Sequence, residues 1–60
     1  MNADLRGCLA NLSKSYKIFS HRGKNISKDN VKKILEYGIK QGYNSTAELS
    51  DIEIDNLLRQ

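Results

Sequence analysis

The stretch ISKDNVKKILEYGIKQGY, Ile26 to Tyr43, reads as one complete helix with both of its ends marked. Val31, Ile34, Leu35 and Ile39 fall on a single α-helical face, with Gly38 beside them. Ser27 has the side chain of a good N-cap, because its hydroxyl can accept a backbone N–H that the first turn leaves without a partner. With Ser27 as the cap, Ile26 precedes it and Val31 is the fourth helical residue. These are the two positions of a hydrophobic staple. Asp29 suits the positive end of the helix dipole. Gly42 ends the helix in the left-handed conformation, and Tyr43 just beyond it can fold back onto the last turn.

Toward the C-terminus, Asn44, Ser45 and Thr46 favour a turn. Ser50-Asp51-Ile52-Glu53 then fits the S-x-x-E capping box, with Leu49 and Ile54 placed as a second staple. Ile54, Leu57 and Leu58 give that segment its apolar face. Toward the N-terminus, Leu5, Cys8, Leu9, Leu12, Tyr16 and Phe19 share one helical face. Asn2 is the expected N-cap there, and Asp4 suits the first turn. Gly23 serves as the left-handed residue past the end of this helix. A competing reading exists for residues 16–26. Tyr16 to His21 is rich in β-formers, and Arg22-Gly23 can turn a hairpin into Lys24 to Ile26. The expected fold is all-α, three helices around one small core in a single domain of residues 1–60. The alternative is an α+β fold with that short hairpin. The Gly42-Tyr43 pair between helices resembles the glycine–aromatic loop of ubiquitin-associated domains. Gly38 departs from that pattern, standing where a large apolar residue is usual, and no site is carried over.

Of the 60 residues, 38% are hydrophobic and 28% charged, which excludes a disordered chain and allows no more than one domain. Cys8 is the only cysteine, so no internal disulfide can form. Cys8 and His21 are the only soft ligands, where a structural zinc site needs four. No metal or cofactor is expected. The first twenty residues contain Asp4, Arg6, Lys14 and Lys17 and no long apolar run, which excludes a secretory signal or a membrane span there. Together with the lone thiol, this points to a soluble cytoplasmic protein.

Charge is divided along the chain. Residues 1–40 hold nine Lys or Arg against three acids, and residues 41–60 hold one against four. Lys14, Lys17, Arg22, Lys24 and Lys28 form the densest basic stretch, with His21 and Tyr16 inside it and no acid among them. With Lys32 they make a candidate nucleic-acid surface, through phosphate contacts and stacking. The competing reading is that lysines keep a small domain soluble. A helix-turn-helix fits poorly. The gap from Gly42 to Ser50 exceeds the usual turn, and the last helix would offer Asp51, Glu53 and Asp55 to phosphates.

No catalytic set is visible. His21 is the one strong base near neutral pH, Ser20 does not face it, and no acid close in sequence orients it. Cys8 lies on the apolar stripe, where a thiol is ordinarily a small core residue. Asp51, Glu53 and Asp55 alternate as in a calcium loop, but no glycine follows at the sixth position and the helical period persists. Ile18, Tyr37 and Ile52 fall off the main apolar faces, and Tyr43 lies past a helix end. These four are the candidate protein interface, for a partner protein or a weak homodimer. Against this, singly exposed apolar residues are normal. The expected function is a non-enzymatic protein-binding or regulatory module. The alternative is an accessory nucleic-acid-binding protein using residues 14–33.

Overall fold

The computed structural model describes residues 4–60, and four α-helices run through them: α1 (Leu5–Ala10), α2 (Leu12–His21), α3 (Lys28–Lys40) and α4 (Asp51–Leu58). A single 3-10 turn, Thr46–Glu48, precedes α4. No strand forms among the described residues. One isolated bridge joins Asp4 to Ser45, with the Leu5 N–H donating to the Asn44 carbonyl at 3.0 Å. The fold is all-α, and the hairpin alternative for residues 16–26 does not occur. Tyr16 to His21 complete α2. Gly23 (φ 81°) closes it as Gly42 (φ 85°) closes α3.

Both helix ends are Schellman motifs. The Tyr43 N–H donates to the Gly38 carbonyl at 2.9 Å and the Gly42 N–H to Ile39 at 3.0 Å. At α2 the Lys24 N–H reaches the Phe19 carbonyl at 2.9 Å and the Gly23 N–H reaches Ser20 at 3.0 Å. The starts follow the sequence equally closely. The Ser27 hydroxyl accepts the Asn30 N–H at 3.3 Å. Ser50 and Glu53 form the reciprocal capping box of α4. The staple pairs Ile26 with Val31 and Leu49 with Ile54 are all buried in the one core.

The N-terminal segment departs from expectation. It is two helices broken at Asn11, not one, which raises the helix count from three to four. Asparagine is a poor helix former because its amide competes for local backbone groups. Asn11 leaves helical geometry (φ −137°, ψ 83°), and its side chain accepts the Lys14 N–H at 3.2 Å as the N-cap of α2. Buried Ser15 secures the break. Its hydroxyl lies 2.6 Å from the Cys8 carbonyl and 3.0 Å from that of Asn11, adding a side-chain bond to carbonyls that already accept the Asn11 and Ser15 N–H groups. The N-cap expected at Asn2 lies outside the described residues. Within them Asp4 caps α1, its carboxylate accepting the Gly7 N–H at 2.9 Å.

The break also turns the buried face of α2 by roughly a quarter turn relative to a continuous helix at 3.6 residues per turn. Ser15, Ile18 and Phe19 point inward, and Tyr16 is left 37% exposed. A continuous helix would do the reverse, so Ile18 is corrected here from a surface residue to a core residue.

Helix α3 is the axis. Its 13 residues span about 20 Å at 1.5 Å per residue, comparable with the molecule's 24 × 22 × 19 Å extents. Val31, Ile34 and Leu35 have no exposed surface, and α1, α2, α4 and the 3-10 turn all pack against this helix. Gly38 sets how closely. A Cβ there would lie 2.8 Å from Leu5 Cδ1 and 3.5 Å from Leu49 Cδ2. Both leucines are buried, so neither has room to yield. Gly38→Ala should therefore destabilise the protein by about 1–2 kcal/mol net, although alanine gains about 1 kcal/mol of helix propensity. A denaturant melt giving higher stability would show that α1 and α3 are not in close contact.

Candidate functional site

The loop after α2 delivers a cation to the far end of the chain. Arg22 donates from Nη1 to the Thr46 carbonyl at 3.0 Å, and from Nη2 to the Leu49 carbonyl at 2.8 Å and to Asp51 Oδ1 at 2.9 Å. Its guanidinium also sits 5.9 Å from the centre of the Phe19 ring. The planar fork, with its donors spread over two terminal nitrogens, serves two carbonyls and a carboxylate at once. Lys24 pairs with Asp55 at 2.9 Å, and Lys33 Nζ donates to the Leu57 carbonyl at 3.2 Å, near the open end of α4. These contacts tie α2 and α3 to the 3-10 turn and α4.

A second polar cluster centres on Glu53. Its Oε1 accepts the Ser50 N–H at 3.1 Å. Its Oε2 accepts the hydroxyls of Tyr43 at 2.8 Å and Tyr37 at 3.2 Å. The Tyr43 hydroxyl and the Ser50 N–H hold the Glu53 carboxyl below its ordinary 4.5, against the opposing pull of desolvation. Both phenols are raised above 10.0, Tyr37 chiefly by desolvation and Tyr43 chiefly by its bond to Glu53. Glu48 repeats the device one turn earlier. Its carboxylate accepts the N–H groups of Asn44 and Ser45, which lower its pKa.

The six basic candidates thus divide. Arg22 and Lys24 are half-buried and engaged in ion pairs, so they leave the expected patch. Lys14, Lys17, Lys28 and Lys32 are exposed, and Lys28 Nζ lies 3.4 Å from Ser13 Oγ. The candidate interface divides as well. Ile18 is in the core. Tyr37 and Tyr43 are half-buried with their hydroxyls on Glu53. Ile52 stands 74% exposed. His21 is exposed in the last turn of α2, and Cys8 is buried. Among the described residues no three His, Cys, Asp or Glu side chains cluster as metal ligands, and no helix is long and apolar enough to cross a membrane.

Sequence reasoning missed the partners of Arg22, Lys24, Tyr37 and Tyr43. Each pair is between 10 and 31 residues apart in sequence, and no local pattern signals it. The Ser45-x-x-Glu48 spacing, identical to that of Ser50 and Glu53, did mark the 3-10 turn and is legible in hindsight. Comparison with protein-family models, curated proteins and solved structures finds no match to this chain.

Two outcomes follow from this geometry. Arg22→Lys should lose about 1.5–3 kcal/mol, since one ammonium cannot replace three directed bonds and a buried carbonyl is left unpaired. Full stability of Arg22→Lys in a urea melt would show that charge alone matters. The second outcome concerns pH. Glu53 has a lowered folded pKa, so its contribution is present above the unfolded value near 4.5 and is lost as pH falls through the folded one. The tyrosines have raised folded values, so theirs is present below 10.0 and is lost as pH rises further. Melting temperature against pH should fall off on both sides of that window. Glu53→Gln should flatten the acid limb, and an unchanged acid limb would remove Glu53 from the cluster's energetics.

Proposed function

We propose that this domain is a protein-binding module that carries out no chemistry of its own. The observation that supports this is Ile52. It projects from the outer side of α4, opposite the buried Ile54 and Leu57, and it shares that side with Asp55, Asn56 and Arg59. A large aliphatic side chain at 74% exposure, ringed by polar groups, has the form of a small interface anchor. It stands on a segment that Arg22, Lys24, Lys33 and Glu53 hold rigidly, so little ordering entropy is lost on docking. His21 lies exposed at the last turn of α2.

A photo-crosslinker in place of Asn56, on the same outer side, tests the reading in the protein's own cells. A discrete protein adduct is expected, and Ile52→Glu should abolish it while leaving the melting temperature nearly unchanged. An adduct of twice the chain mass identifies a second copy as the partner. An adduct that survives Ile52→Glu, or no protein adduct at all, would sink the proposal for this surface.

A further inference from the structure

The two flanks of α3 differ, and the flank away from α4 is cationic. At roughly 100° per residue, Tyr37 and Lys33 lie on one flank and Lys28 and Lys32 on the other. The contacts agree with this division. Tyr37 and Lys33 reach Glu53 and Leu57 of α4, whereas Lys28 reaches Ser13 of α2. Ser13 is one helical turn from Lys17, and Lys17 is one turn from Lys14. The Lys28–Ser13 contact therefore joins two lysines of α3 to two of α2 in one exposed surface drawn from both helices. No acid occurs anywhere in α2. Asp29 and Glu36 lie further round α3, on the side away from α2, and bound the surface there. Lys14, Lys17 and Lys32 have no ion pair among the described residues, while Arg22 and Lys24 reach α4 and pair with Asp51 and Asp55. Tyr16 offers an exposed ring on the same helix as Lys14 and Lys17.

We propose that Lys14, Lys17, Lys28 and Lys32 form a binding surface for the phosphodiester backbone of nucleic acid. The charge is concentrated where the fold leaves it unpaired, and it is spread over two helices rigidly fixed to one core. Such an array contacts successive phosphates and displaces their counterions without reading bases. The surface is separate from Ile52, so either can exist without the other.

The test is fluorescence anisotropy of the whole protein with labelled single-stranded and duplex oligonucleotides of mixed sequence, from about 20 to about 200 mM salt. Binding should fall linearly on a log–log plot with a slope of about −3, as expected for four phosphate contacts. Lys17→Gln with Lys28→Gln should halve the slope to about −1.5 and weaken binding about tenfold at low salt. Lys40→Gln with Arg59→Gln removes the same charge elsewhere and should change affinity less than about twofold on the same grounds. If Lys17→Gln with Lys28→Gln does not fold by circular dichroism, Lys14→Gln with Lys32→Gln is the replacement, with the same expectation. No binding at the lowest salt would overturn the proposal and leave an acidic protein as the alternative occupant. Equal losses in the two double variants would overturn it too, since net charge and not this surface would then be responsible.

Discussion

Every element of this protein is placed by the need to cover α3. Val31, Ile34 and Leu35 are wholly buried, yet no other segment of the chain is long enough to enclose them alone. A straight helix over residues 5–21 would cover one side only and carry Ile18 into solvent. The break at Asn11 lets α1 and α2 approach α3 separately, and Gly38 lets α1 come close. The other side is left to a 3-10 turn and an eight-residue helix.

That second side has few apolar residues, and polar contacts supplement it. Leu49, Ile54 and Leu57 enter the core, while Arg22, Lys24, Lys33 and Glu53 fix the backbone around them. Asp51 and Asp55 have side chains 63% and 49% exposed, so the pairs themselves are surface ion pairs, which contribute about 0–1 kcal/mol. The bonds from Arg22 to the Thr46 and Leu49 carbonyls matter more than its charge on Asp51, because a charge-assisted bond to a part-buried backbone group contributes more than an exposed ion pair. The division of charge along the sequence has its structural use here: basic residues of the first two-thirds clamp acidic residues of the last third.

Local signals marked α3, α4 and both glycine-ended helices, since caps, staples and the hydrophobic period depend on residues within a few positions of each other. The same period misled at Asn11. The stripe from Leu5 to Phe19 is consistent with one helix, and only packing against α3 shows that the face turns between Cys8 and Ser15. Exchange of Tyr16 and Ile18 between core and surface follows from that one rotation. The candidate surfaces were legible in composition but not in membership. Lys14, Lys17, Lys28 and Lys32 differ from Arg22 and Lys24 in nothing a sequence displays. The difference is which of them comes near Asp51 and Asp55 in the fold.

A domain of this size also links binding to stability closely. At 60 residues, it buries only about 60% of its unfolded surface and keeps a narrow stability margin, of order 5 kcal/mol. A partner present at about a hundred times its Kd adds about 2.7 kcal/mol, a large fraction of that margin. The effect does not depend on which face is used, because α2, α3 and α4 share one core and unfold together. A ligand on the lysines of α2 and α3 therefore also protects α4. A ligand on Ile52 protects the Lys28–Ser13 contact in the same way. The two surfaces are separate in chemistry and joined in stability, since both depend on the fully buried residues of α3.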